Sequence, residues 1–591
     1  MKRFMACFAV MLTVLTAGAR AEAVPESQSE TLVTVEIRGF NGLADSVQRL
    51  GGSLMIPVQK EQLATQLSFF LMTTNLTGLN PDGLIRLYVL ADRSSPTSAP
   101  AIVLGLPIKD GGEEYLDLVA ERMEQTDSIR GVEYYKPSTS AAMPSPWTKL
   151  CLRVAGNHVL MAQTPEPVEL VSQWIDAGAI QQDERLPVEG DLAMAVNVKQ
   201  AVELFNPLIE EKLETIKKLA DRQAKDQPQD VGEILAVEQR LFTTLLRQVD
   251  RYLVGMGTRP EWMEFNFRLD AAPNSTLEKM IGSLRQPAPA FQKFLPADAL
   301  YAQAGNWGDM NLWLEPYMQF VSELYAAMGP GMDQLSSVMQ EKVKAMSGQY
   351  SGDVAIAVLP PTAEHPFQLI EMIGLRDSSA MKDVMNQLLA AMNQAMTNMP
   401  AGMSFEFIPG PAREHDGVAI ESYEYRTTWP DEVAKDMPPL LRRLFENMKM
   451  ELAYVDQAVI YTMGPSELMN ESLDRFKAGS GLDVKDSASF KAVYADGMPA
   501  DLVDAYYANL LDTLRSMLAL SPRFQSLQQM IPPSKGTVAG FEQVDGRAVK
   551  GRMRVALSDI GGLLQSFMAI QSKLKTKAPP AVLPSEEPKM E

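Results

Sequence analysis

Residues 150–165 (LCLRVAGNHVLMAQTP) and 450–465 (MELAYVDQAVIYTMGP) match without a gap when 300 is added to each number. Apolar positions meet at Leu152/Leu452, Val154/Tyr454, Val159/Val459 and Leu160/Ile460, and Pro165 meets Pro465. A chain that carries one pattern twice is expected to build one unit twice. That expectation sets domain number and architecture together, and it separates residues the shared unit needs from residues held by one copy only.

Each copy reads as strand, helices, two strands, helix, strand, hairpin, helix, then a smaller block of strand, helices and hairpin. In the first copy the strands fall near 32–37, 84–92, 101–108 and 131–136, with helices near 113–123 and 167–176 and a hairpin at 148–163 turning on Gly156-Asn157. In the second they fall near 299–304, 353–359 and 367–375. Asp110 and Asp377 hold matching places before a helix, where Asp caps free N–H groups. The last strands alternate: Met263, Phe265, Phe267 and Leu269 against Glu264, Asn266 and Arg268, and Val549, Met553, Val555 and Leu557 against Lys550, Arg552 and Arg554. Such alternation predicts antiparallel strands, wet on one side and covered on the other. The expected fold class is therefore α+β: two tandem pseudo-repeats, each a mainly antiparallel sheet covered on one face by helices.

The expected boundaries are a signal peptide at 1–21, a flexible leader at 22–30, a first unit at 31–285, a linker at 286–297, a second unit at 298–575 and a disordered tail at 576–591. The first unit carries a helical hairpin insert near 207–249, with Asn206 capping a helix that begins at Pro207. The second carries a Met-rich helical insert near 380–403.

Lys2 and Arg3, the apolar run Phe4–Ala17 and the small residues Ala19 and Ala21 spell a cleaved secretory signal, and an uncleaved anchor is the rival reading. No later stretch reaches the length of a membrane span, so the mature chain is expected to have no transmembrane segment and to be periplasmic or secreted. Loss of Lys2, Arg3 and Arg20 would leave 51 basic residues against 74 acidic ones, a net −23. That balance speaks against nucleic acid and anionic lipid as partners. Cys7 leaves with the signal, and Cys151 remains. Its counterpart is Glu451, and it alternates with Leu150 and Leu152, so it reads either as a buried small hydrophobe or as a candidate reachable thiol able to link a homodimer.

No catalytic or metal motif is present among His158, His365 and His415, and none of the phosphate-loop, nucleophile-elbow or dinucleotide fingerprints occurs. The expectation is no catalytic residue and no cofactor. The basic strip Arg547, Lys550, Arg552 and Arg554 reads as an exposed strand face, or as an anion site. Methionine is in excess, 36 of 591. A stripe through Met381, Met385, Met392, Met396, Met399 and Met403 reads first as core. Its alternatives are a soft-metal site or an adaptable apolar-ligand groove, carried by Met392, Met396, Met399 and Met403.

The segments GLNPDGLIRLYVLAD, AIVLGLPIKDGGEEYLDLV and NHVLMAQTPEPVELV, in this order, resemble large exported proteins of unknown function from planctomycete- and verrucomicrobia-type bacteria, over most of residues 30–290. The resemblance implies an exported α+β repeat protein of a Gram-negative-type envelope and carries no site residues. Three functions remain open: a non-catalytic envelope scaffold or binding protein with an unknown protein partner, a carrier of an apolar ligand between sheet and helices, and an enzyme without a recognisable motif.

Overall fold

The computed structural model describes residues 29–53, 58–92, 100–129, 131–138, 147–182, 184–223, 231–328, 332–362, 364–396, 404–428, 448–520, 525–532, 534 and 538–576. The expected signal peptide, most of the leader and the tail beyond Thr576 lie outside them. Ser29 and Glu30, read as the end of the leader, instead begin the first strand and pair with Asp92 and Ala91. Their bonds to the neighbouring strand outweigh their poor strand propensity.

The first half contains β1 (Ser29–Ile37), β2 (Ile85–Asp92), β3 (Ala101–Pro107), β4 (Met123–Ile129), β5 (Val132–Pro137), β6 (Leu150–Ala155), β7 (His158–Ala162), β8 (Leu192–Asn197), β9 (Val249–Thr258) and β10 (Trp262–Ala271). Their lateral order is β10-β9-β8-β1-β2-β3-β7-β6-β5-β4, antiparallel throughout. In the second half, β11 (Lys293–Leu295) and β20 (Leu482–Asp483) form a small separate ladder. The rest are β12 (Tyr301–Asn306), β13 (Tyr350–Val358), β14 (Leu369–Leu375), β15 (Ser404–Pro409), β16 (Arg413–His415), β17 (Val418–Thr428), β18 (Met448–Val455), β19 (Ala458–Met463), β21 (Asp504–Ala508), β22 (Val538–Asp545) and β23 (Ala548–Ala556). They run β23-β22-β21-β12-β13-β14-β19-β18-β17, with β15 and β16 sharing the outer edge of β17.

The two halves thus have the same strand order, and single hydrogen bonds correspond as well. Arg38 N–H donates to the Asp191 carbonyl (2.8 Å), and Asn306 N–H to that of Val503 (2.8 Å). Asp191 N–H donates to the Met256 carbonyl (2.9 Å), and Val503 N–H to that of Glu542 (2.9 Å). Ala271 N–H donates to the Arg547 carbonyl (3.1 Å), and Leu557 N–H to that of Glu261 (2.9 Å). The halves meet where β10 pairs antiparallel with β23 over nine residue pairs, from Trp262/Ala556 to Asp270/Ala548, so that the described strands form one 21-stranded sheet beside the small ladder.

Helices lie on both faces, a wider cover than the single layer expected. Leu150 and Leu152 of β6 pack with Tyr115 and Val119 of the helix Glu113–Ala120. Cys151 and Ala155, on the opposite face, pack with Val168 and Val171 of the helix Pro165–Asp176. A central strand buried on both faces shows no wet alternation, which is why β7 reads as a continuous apolar run.

Three local expectations are corrected. The first insert helix runs Val198–Gln223, with Pro207 inside it. Asn197, not Asn206, caps it by accepting from Gln200 N–H (3.3 Å), and burial of Val198, Val202 and Leu204 offsets the bond lost at the proline. The helix predicted to reach Met123 ends at Ala120, and Met123 opens β4. Asp377 caps through Ala380 N–H (3.0 Å), but Asp110 sits at φ 48° in a short 3₁₀ turn and caps nothing. Among the described residues no helix is long and apolar enough to cross a membrane.

Candidate functional site

The seam disposes of the basic strip. Arg554, read as a face open to water, is 4% exposed. Its Nε donates to Glu264 Oε2 (2.8 Å) across the β10–β23 pairing, and its two Nη atoms to the Asp496 carboxylate (2.6 and 2.8 Å). The guanidinium also stacks on the Tyr494 ring at 4.9 Å. Arg552 binds Asn266 and Glu189, Arg547 pairs with Asp250, and Lys550 faces Asp545. Arg547, Arg552 and Arg554 each pair with an acid, while Lys550 stands 4.0 Å from Asp545, which Arg268 also holds at 2.6 Å, so most of the strip's charge is matched within the fold. Polar alternation in β10 and β23 marks complementary strands that meet, with Glu264 and Asn266 buried and Phe265, Phe267 and Met553 only half-buried.

Cys151 follows the first of its two readings, a buried small hydrophobe, and not the second, a reachable thiol. It is 3% exposed, and burial pushes its thiol up to about 11, with the Glu166 charge adding to the effect. Its counterpart Glu451 is also buried, held by Arg413 (2.7 Å) and Lys449 (3.1 Å), so a charged counterpart did not mean an open face. The disulfide-linked homodimer therefore loses its reachable thiol. Native protein at pH 8 is expected to react with a thiol-exchange reagent at least about 100-fold more slowly than unfolded protein. A native rate within a few-fold of the unfolded one would show an open Cys151.

Met381 and Met385 pack into a core cluster with Leu388 and Leu389, as the core reading of the stripe expects. Met392 and Met396 lie on the helix Ser378–Met396, their side-chain surroundings outside the described residues, as Met399 and Met403 are altogether. The three histidines do not converge. His158 is buried and bonded to the Leu84 carbonyl (2.7 Å). His415 gathers with Asp416 and Asp474 at the surface, 2.7 Å from Asp474, where Lys477 also sits beside Asp416.

A cavity of about 550 Å³ lies where the halves join, and sequence reasoning did not find it. Its floor comes from four adjacent strands, β12, β21, β22 and β23. Along them small and aromatic residues turn to one core: Ala302 and Ala304, Ala505 and Tyr507, Ala539 and Phe541. Period-two geometry then points Gln303, Asp504 and Glu542 the other way, toward the cavity. The walls are apolar: Leu277, Met280 and Ile281 from the helix Thr276–Ser283 of the first half, and Met310 and Leu314 at the helix Asn311–Met328 of the second. Trp307 and Tyr317 stand at the mouth, 41% and 54% exposed. A smaller hollow shares Leu277, Met280 and Tyr317 and reaches Leu241 and Leu245 of the insert helix Val231–Leu246.

The polar floor is unusual. Asp504 and Glu542 are directly opposed on neighbouring strands. Asp504 is 7% exposed and lies over Gly305, where a Cβ would collide with its carboxylate. Tyr301 hydroxyl donates to Gln303 Oε1 (2.6 Å), and Gln303 Nε2 donates to Asp504 Oδ2 (2.7 Å). Asp504 Oδ1 has no partner. Burial lifts the Asp504 carboxyl to about 7, the Glu542 charge adds to the rise, and the Gln303 bond only partly opposes it. Burial lifts Glu542 as well. The floor can therefore hold a proton, or a donor, near neutral pH. By the matched bonds, Asp504 corresponds to Leu192 and Glu542 to Met256, so the same architecture stands in the first half without either acid. That comparison was the signal available in sequence, once the registers were known.

No protein-family model, no curated protein and no solved structure matches the chain.

Proposed function

We propose that this is an exported, non-catalytic binding protein of a bacterial envelope that carries an apolar ligand between its sheet and helices, in a fold that arose by duplication of one α+β unit. The observation that carries the ligand reading is the cavity itself: about 550 Å³, apolar-walled, with two acids on its floor. That volume lies within the range of small-molecule sites, which pair apolar lining with a few placed polar groups. The placement at the junction of the halves supports the same reading, since each half supplies walls the other lacks. Export is supported by the N-terminal pattern at 1–21, and duplication by the shared strand order.

The test is binding of Nile red, a neutral apolar dye, with mass spectrometry of organic extracts of the purified protein. Wild type is expected to bind the dye and to release a co-purified apolar compound. Leu314→Trp with Val549→Phe narrows the cavity from opposite sides and is expected to weaken dye binding by about tenfold or more, while the circular dichroism spectrum stays native. Dye affinity unchanged in a folded double variant would defeat the reading.

A further inference from the structure

The chemistry of the cavity floor narrows the ligand, taking the carrier reading as given. Among the described residues that line the cavity none is Lys, Arg or His, and the two charged ones, Asp504 and Glu542, are both acids. Each amide of the floor already spends one of its two N–H donors within the fold. Gln303 Nε2 is held by Asp504, and Asn306 Nδ2 donates to Asp353 Oδ1 (2.8 Å). Asn306 Oδ1 accepts from Gly308 N–H (3.0 Å). What faces a ligand at the floor is acceptor and negative charge: the two carboxyls, with Asp504 more than nine-tenths buried and its Oδ1 without a partner. Two acids directly opposed across strands repel unless a proton or a cation lies between them. The fold does not require them, because Leu192 and Met256 serve at the corresponding places.

We propose that the cavity selects an apolar molecule with a single protonated amine head, the ammonium settling between Asp504 and Glu542 and the hydrocarbon filling the space under Met280, Ile281 and Leu314. One ammonium between the two carboxyls offsets the repulsion of the pair and donates to the acceptors the floor presents. A carboxylate-headed ligand adds a third acid to the pair, and an alcohol makes a weaker neutral bond.

The experiment compares three 12-carbon probes, dodecylamine, dodecanol and dodecanoate, by calorimetry at pH 7 on the full chain. Dodecylamine is expected to bind about tenfold or more tighter than dodecanol, with dodecanoate weakest. Asp504→Asn is expected to bring the amine down to the level of the alcohol. Glu542→Gln makes the same test should the first variant not fold. If dodecanol binds but the amine gains nothing, or dodecanoate binds tightest, or neither variant weakens the amine, the head-group inference fails while the carrier reading stands. If none of the three binds, the carrier reading fails and this inference with it.

Discussion

Arg554→Met is expected to lower the free energy of unfolding by about 3–5 kcal/mol, read as a shift in the urea midpoint at pH 7. The methionine keeps most of the volume, so packing is not what is lost. Glu264 remains, 3% exposed, with Asn266 donating to it and Arg259 no closer than 3.8 Å. An uncompensated buried carboxylate is the larger penalty, and it exceeds the value of the intact pair. Glu264→Gln together with Arg554→Met is therefore expected to lose clearly less than Arg554→Met alone. Asp496 contributes less, because its side chain is well exposed and water screens its bond. The sign with pH follows. Burial pushes Glu264 up, but bonds from Asn266 and Arg554 outweigh it and leave the carboxyl below its usual range. The bond from Arg554 lowers Asp496 as well. Their stabilisation is present above the unfolded carboxylate range and fades as pH falls through the depressed folded values. Arg554→Met should flatten that acid limb. Equal midpoints for wild type and Arg554→Met would mean the seam does not hold the halves together in this way.

The places of the strands along the chain could be read from the sequence because period-two alternation and turn residues are local signals, whereas their lateral order could not. The +300 match survives in the structure as register: Val154 pairs with Val159 and Tyr454 with Val459. What failed depended on partners distant in the chain. Glu264 and Arg554 looked wet because 290 residues separate them, yet they bond across the seam, and Asn266, two residues from Glu264, donates to the same carboxylate. The reachable-thiol reading of Cys151 leaned on Glu451 facing water, whereas Arg413 reaches that acid from 38 residues away. The site was hidden for a related reason. Asp504 and Glu542 form no motif, and their meaning appears only when strands β21 and β22 are laid on β8 and β9.

Asp504→Asn is expected to stabilise the empty protein at pH 8 and to change it little at pH 4. The folded carboxyl is raised from 3.8 to about 7, first by burial and then by the Glu542 charge. A group raised in this way stabilises fully below its unfolded value and loses that contribution as pH rises through the folded one. About three units correspond to at most about 4 kcal/mol, and relaxation around the charge lowers that toward about 2 kcal/mol. The advantage of the Asn variant should therefore open between pH 4 and 7 and level off above 7, as measured by urea titration across that range. The seam acids, depressed rather than raised, slope the other way and cancel in the comparison between the two proteins. A difference independent of pH would mean Asp504 is ionised without cost, and the buried acid pair would lose its physical basis. A difference that opens with pH and closes when dodecylamine is added would tie the two halves of the argument together. The second half carries a destabilising acid where the first carries Leu192, and a cation bound in the folded state is what relieves it.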